Sequence, residues 1–257
     1  MPLNENMRAA GDWLFRWRSF IPLAAVPLLA LGLEHYTYLF GDHRWDMAWE
    51  MLCLSASLLG LGTRVVAVGF AARRTSGRNT RRQVADSLNT TGIYSIVRHP
   101  LYLGNFLVGL GPALFLRVPW IPVVYCLAFA LYYERIILAE EAFLTEKFGE
   151  PYLGWASATP ALIPRFRLWA APVLPFNLRR VLRREYRTLF CIIAVFYLLE
   201  VATDTHLNNR PFGDELWNDI GIASVAIFLT LRALHKYTSA LDDRGEPSVD
   251  GQPMSMS

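Results

Sequence analysis

The sequence predicts an all-α fold, a polytopic helical membrane protein of about six transmembrane helices, and three observations carry that prediction. The 257-residue chain is 53% hydrophobic, with eight Trp and a positive mean hydropathy of +0.25. Its apolar residues gather into runs near 20–40, 47–72, 101–116, 118–138, 188–202 and 219–234. The connections between those runs are alternately rich and poor in arginine. A hydrocarbon core about 30 Å thick takes ~20 mostly apolar residues in a helix. The second and fourth runs meet that length, while the third and fifth need flanking residues to complete a span. The competing reading, a large soluble helical protein, is disfavoured by the membrane criteria. The first run is interrupted by Pro22, Pro27, Glu34 and His35 and does not read as a signal peptide.

The arginines orient the spans. Arg8, Arg16 and Arg18 precede the first run, and Arg73, Arg74, Arg78, Arg81, Arg82 and Arg98 lie between the second and third. Lys147, Arg165, Arg167, Arg179, Arg180, Arg183, Arg184 and Arg187 separate the fourth from the fifth, and Arg232, Lys236 and Arg244 come last. The other connections carry only Arg44, Arg117 and Arg210. Positive residues prefer the cytoplasmic side, so six spans with both termini inside satisfy every connection. A net charge of +3 conceals this asymmetry. Such basic segments suit an anionic leaflet. They do not suit nucleic acid, because the cations flank apolar runs and no nucleic-acid module accompanies them.

Taken in order, residues 1–19 mix Trp13, Phe15 and Trp17 with Arg16 and Arg18, which predicts a short interfacial helix. Residues 40–46 are an outer turn, and 73–92 are a polar loop rich in turn formers. "LRVPW" (116–120) is a very short turn that makes the third and fourth spans an antiparallel hairpin. The segment 140–187 continues the fourth span, then meets Pro151, Pro160, Pro164, Pro172 and Pro175 and is expected to lie along the interface. Residues 202–219 form an outer loop. From Asp242 the tail is polar and is expected to be disordered. Cys53, Cys126 and Cys191 each sit in an apolar run as small hydrophobes, and no spacing supports a metal site or a disulfide.

The chemistry concentrates at one threshold, "GIYSIVRHPLYLGNF" (92–106). Pro100 disfavours helix at His99 and can open the third span, leaving N–H groups at a helix start that attracts carboxylates. The plainer reading is a membrane-entry signal in which Arg98 snorkels and Tyr94 and Tyr102 join an aromatic belt. After the hairpin comes "YYERIILAEEAFLTEKFGEPYLGWASATPALIPRF", which returns Glu140 and Glu141 to the same end. Paired acids at a helix end are usually a solvated face. Beside a basic motif of opposite sign they also suit a zwitterionic ligand.

"GIYSIVRHPLYLGN", then "EE", "FGEPYLGW" and "PALIPRF", resemble the isoprenylcysteine carboxyl methyltransferase and phospholipid methyltransferase superfamily of integral-membrane enzymes, over roughly residues 73–166. The resemblance implies S-adenosyl-L-methionine in a cytoplasmic pocket and a membrane lipid or lipidated acceptor that enters from the bilayer. It places Leu88, Tyr94, His99, Pro100, Leu101, Tyr102 and Glu140 at the cofactor, with a looser match at Asn79, and no metal. The chemistry agrees: a helix start and His99 suit the cofactor's carboxylate, and Glu140 suits its ammonium. Tyr faces suit its sulfonium, at ~0.5–2 kcal/mol each when desolvated. The methyl group arrives activated, so no acid–base residue is obligatory.

Two departures stand out. The family often has an arginine four residues before the first Glu, where it meets the acceptor; that position here is Ile136, and the neighbouring Arg135 is the candidate catalytic residue. Arg64 is a second candidate for an anionic acceptor, against the plainer reading that it snorkels. The chain then divides into two N-terminal spans (1–72), a methyltransferase core (73–187), a two-span extension (188–241) and a tail (242–257). The expected reaction is methyl transfer to an anionic oxygen, carboxylate or phosphate. A phospholipid amine is the nearest alternative. A membrane sterol-type double-bond reductase and a non-catalytic membrane component are the rivals of other classes; no G-x-G-x-x-G opens a strand–helix unit.

Overall fold

The computed structural model describes residues 3–17, 25–37, 43–72, 75, 85–208 and 214–241. They form α1 (Leu3–Trp17), α2 (Ala25–Leu33), α3 (His43–Gly69), α4 (Ile93–Ile96), α5 (Pro100–Phe115), α6 (Trp120–Phe148), α7 (Glu150–Ala158), a 3-10 turn (Phe166–Leu168), α8 (Leu178–Asn208) and α9 (Glu215–Tyr237). Among the described residues there is no strand, only an isolated antiparallel bridge between Gly92 and Ala170. The all-α expectation therefore holds. The loop residues 76–84 with Asn79, residues 40–42 of the outer turn and the tail 242–257 lie outside the described residues.

Among the described residues, four helices are long and apolar enough to cross a membrane: Trp45–Gly69 of α3, Trp120–Phe148, Leu178–Leu207 of α8, and Glu215–Tyr237. α5 is apolar but has 16 residues, which is about 24 Å of helix. Of the first apolar run, the nine-residue helix Ala25–Leu33 is described, too short to span alone. Together with α5 the four long helices fill five of the six expected spans, while residues 20–24 and 38–40 of the first run lie outside the described residues. The shortness of α5 has a local cause, since Pro100 opens it and a turn at Leu116–Pro119, with Arg117 at φ 57°, closes it. That turn makes the expected hairpin with α6. α8 begins at Leu178, ahead of the apolar run at 188, so the arginine-rich stretch is helical.

Close approach of α3 and α5 depends on missing side chains. A Cβ on Gly60 would stand 2.6 Å from the Gly104 carbonyl oxygen, and one on Gly104 would stand 2.5 Å from Cγ of Arg64. Small residues at helix contacts are how apolar helices gain packing where water supplies no drive. One apolar core joins Cys53, Leu54, Phe115, Ile121, Phe196 and Trp217, from α3, α5, α6, α8 and α9. A second, nearer the Pro100 end of α5, joins Tyr102, Tyr133, Ile136 and Ile137, with Leu14 and Phe15 of α1 packed on it. Outward, Leu52, Leu59, Leu127, Leu131, Leu198, Ile222 and Leu229 are exposed, which suits a lipid-facing surface.

Candidate active site

The site is assembled by chain reversals around Pro100. α6 ends at Gly149, whose φ of 59° and ψ of −133° only glycine adopts readily, and α7 starts directly after it with a proline in its first turn. Beyond α7 the chain runs back across the threshold motif. Arg98 N–H donates to the Pro160 carbonyl at 2.9 Å, His99 N–H to Ala161 at 3.1 Å, and Arg165 N–H to Ile96 at 2.9 Å. Gly92 N–H donates to Ala170 at 2.9 Å, and Ala170 N–H to Ser95 Oγ at 2.9 Å. The N–H groups of Arg98 and His99, just ahead of the helix start, are therefore taken by the returning chain.

What these backbone bonds hold is a tight group of charges. His99 is the N-cap of α5 and Pro100 opens the helix. His99 Nε2 lies 3.0 Å from Glu141 Oε1, and Nδ1 lies 3.6 Å from Glu140 Oε2. Arg98 Nη2 reaches Glu141 Oε1 at 2.9 Å, while its Nη1 donates to the carbonyls of Ala156 and Thr159 at the end of α7. Tyr102, one turn into α5 and stacked on His99 at 5.4 Å, donates from its hydroxyl to Glu140 Oε2 at 2.5 Å. Tyr133 of α6 packs against Tyr102 at 4.8 Å. Burial alone would lower the His99 pKa, but its hydrogen bonds to Glu140 and Glu141, with their charges, more than reverse that and hold it above the ordinary histidine value. Burial, and then the charge of Glu140, push the Tyr94 hydroxyl pKa up against the opposing pull of Arg184 and Arg64.

The structure thus brings together His99, Pro100, Tyr102 and Glu140, with Tyr94 within reach of the Glu140 charge. Leu101 is half-buried in the first turn of α5, and Leu88 is half-buried in the extended segment that Asn89 ties to Ala72 and Thr75. Arg135 is placed differently. Its backbone carbonyl faces α1, 2.2 Å from where a Cβ on Gly11 would stand, and among the described residues its side chain joins no bond of the cluster. Ile136, fully buried in the tyrosine core, occupies the inward face instead. Arg64 does not snorkel. Its Nε and Nη2 both meet the Glu185 carboxylate at 2.8 Å, and Nη1 donates to Asn105 Oδ1.

Sequence reasoning missed Glu141 as the shared partner of Arg98 and His99, although it adjoins Glu140. It also missed Tyr152, whose signal was its place in "FGEPYLGW", and Glu185, a lone acid within "LRRVLRREYR".

S-adenosyl-L-methionine can be tested against these residues. The side chains of Glu140 and Glu141 keep 30% and 25% of their exposure despite their partners. Beside them, Tyr152 OH, Trp155 Nε1 and Arg98 Nε are buried with no hydrogen-bond partner among the described residues. Buried donors left unmade are costly, and a ligand with its own acceptors relieves that cost. Carboxylates for an ammonium and donors for a carboxylate fit the group, whereas the Tyr102 ring, packed against His99 and Tyr133, is already engaged.

Comparison with known proteins agrees with the motif. The family model for phospholipid methyltransferase matches residues 51–151. A cobalt-zinc-cadmium resistance protein of Cupriavidus metallidurans is 35% identical over 163 residues, 63% of this chain and 70% of the relative. A nickel-cobalt-cadmium resistance protein of Alcaligenes xylosoxydans xylosoxydans is 30% identical over 154 residues, covering 60% of this chain and 65% of the relative. Protein-S-isoprenylcysteine O-methyltransferase of Schizosaccharomyces pombe is 33% identical over 85 residues, so the chain spans 36% of that enzyme's length. No solved structure matches at a significant level. With its apolar spans and its matched core, the chain belongs to the isoprenylcysteine carboxyl methyltransferase and phospholipid methyltransferase superfamily of integral-membrane methyltransferases.

Proposed function

We propose that this protein uses S-adenosyl-L-methionine to methylate an anionic oxygen, carboxylate or phosphate, on a membrane lipid or lipid-linked acceptor, at a site facing the cytoplasm. The observation that carries the reading is the cluster at Pro100: two part-exposed carboxylates beside unpartnered buried donors, all at the mouth of a helical hairpin. The cofactor supplies an activated methyl group, so the protein's work is orientation. Glu140 would hold the ammonium, and Tyr152, Trp155 and Arg98 would receive the carboxylate. His99, charged between two acids, stiffens that wall. Leu88 and Leu101 would contribute apolar lining. The cluster lies at the arginine-rich end of the hairpin, which supports the cytoplasmic assignment.

The choice of oxygen is supported by relatives that methylate isoprenylcysteine. Arg135, uncommitted among the described contacts of the cluster, would meet the acceptor from the α1 side. A phospholipid amine is a second reading, favoured by the description of the matching family.

Binding of labelled S-adenosyl-L-methionine to the purified chain, against a reduced nicotinamide, tests the reaction class; nicotinamide binding alone would replace it with a reductase. Arg135→Gln should lower turnover far more than cofactor affinity, as an interaction made only with the acceptor does. Product labelled in the methyl group should be released by base as methyl ester, whereas base-stable label would mean an N-methylated lipid. A cysteine placed at Ser157 should react with an impermeant reagent only after permeabilisation.

A further inference from the structure

We propose that Glu185 of α8, through Arg64, is a positioning residue for the tyrosine wall of the active site, so that the C-terminal extension forms part of the catalytic unit. The family match ends at residue 151, and α8 lies wholly beyond it. Nevertheless α8 reaches the site by a continuous set of contacts. Glu185 accepts two bonds from Arg64 at 2.8 Å, with the Arg64 side chain half-buried at 14% exposure and that of Glu185 buried at 5%. Arg64 donates its remaining Nη1 to Asn105 Oδ1, which leaves the Asn105 amide nitrogen to donate to the Tyr133 oxygen at 2.8 Å. Tyr133 packs on Tyr102, and Tyr102 holds Glu140.

Each link has one sensible polarity. A guanidinium has donors only, so Arg64 fixes which end of the Asn105 amide faces Tyr133. Held by two bonds, it cannot rotate to serve another acceptor. Without Glu185, Arg64 would be a half-buried cation lacking its carboxylate at the α3–α5 contact, where a Cβ on Gly104 would already crowd its stem. It would turn toward the remaining carboxylates, Glu140 among them, since the charges of Glu140 and Arg64 both reach Tyr94. Glu185 therefore does two things: it orients Asn105 and keeps Arg64 away from the cofactor acids. An ion pair kept in a membrane span is expensive unless it serves such a purpose.

The consequence for cofactor affinity rests on the methyl-transfer reading, while the consequence for the wall does not. The test uses the full chain in detergent with Glu185→Gln, Asn105→Leu and a control, Phe190→Ala, which loosens the Phe190–Phe228 stack between α8 and α9 without touching the relay. Hydrogen exchange over residues 101–106 and 138–142 is read first, with no cofactor. Both relay variants should lose protection there at least threefold, and the control should lose it only near residues 186–232. Calorimetric affinity for S-adenosyl-L-methionine should then fall roughly three- to tenfold in the relay variants and stay at wild type in the control. Unchanged exchange at 101–106 in Glu185→Gln, or a loss equal to that of the control, would overturn the proposal. A wild-type chain whose wall responds as expected but that binds no S-adenosyl-L-methionine would sustain the positioning role and sink the methyl-transfer reading.

Discussion

The two ends of the hairpin α5–α6 are built from the same groups and do opposite things. At the turn end, Asp46 accepts from the Tyr36 hydroxyl at 2.5 Å and pairs with Arg117, whose guanidinium also lies 4.7 Å over the Tyr36 ring. Asp46 keeps 2% of its side-chain exposure. At the Pro100 end, the same carboxylate–tyrosine–arginine vocabulary leaves Glu140 and Glu141 25–30% exposed and three polar atoms of Tyr152, Trp155 and Arg98 without hydrogen-bond partners among the described residues. A closed set of this kind lowers the free energy of one arrangement. An open set holds charge in reserve for a ligand, at a cost in stability. The presence of acids in a membrane protein therefore says little; whether their partners are complete says much.

That contrast can be broken most forcefully at the closed end. Asp46→Ala takes the shared acceptor from the Tyr36 hydroxyl and the half-buried Arg117 and should cost ~1.5–3 kcal/mol, as losing a charge-assisted contact does. Thermal denaturation in detergent would show it, and S-adenosyl-L-methionine affinity of the surviving folded fraction should be unchanged. Glu140→Gln should behave in the reverse sense. Its stability should stay near wild type while cofactor affinity falls about ten- to a hundredfold, the cost of one charge-assisted contact. Calorimetric affinity within twofold of wild type would place the pocket elsewhere.

Smaller effects sharpen the comparison. Tyr152→Phe deletes a hydroxyl that has no hydrogen-bond partner among the described residues, so it should leave the free protein as stable or slightly more so, yet weaken cofactor binding roughly two- to tenfold. A loss of stability without a change in binding would make Tyr152 part of a closed set after all. The subtlest test is a slope. Because the His99 pKa is raised on folding, its contribution is complete below the ordinary value of 6.5 and is lost as pH rises through the elevated one. The stability advantage of wild type over His99→Gln should therefore shrink as pH is raised from 6 to 9, with Arg98, Glu140, Glu141 and Tyr102 as the groups that face the ring. An advantage that grows over that range would contradict a cationic His99.

The hairpin was legible because its determinants are local. "LRVPW" is too short for anything but a reversal, and Pro100 can only open a helix. Those two features returned Glu140 to His99 before any packing was known. The choice between Arg135 and Ile136 was not legible. It turns on a rotation of about 100° per residue, and the direction of that rotation depends on α1, which covers one face of α6 through Gly11. Arg64 was misread for a similar reason, since a lone arginine near a helix end ordinarily snorkels.

By itself the sequence determined the all-α class, the positions of the long spans, the hairpin and the gathering of imidazole and acids at its mouth. Each follows from apolar run length, proline placement or the spacing of residues along one segment. Tertiary structure alone decided which acids are buried with their partners and which stay part-exposed, that the chain after α7 occupies the Arg98 and His99 N–H groups, and that Glu185 holds Arg64. That last pair is separated by 121 positions in the chain. Contacts so remote depend on how α3, α5 and α8 settle against one another, and the close fit at Gly60 and Gly104 that sets their distance leaves no periodic trace in either helix.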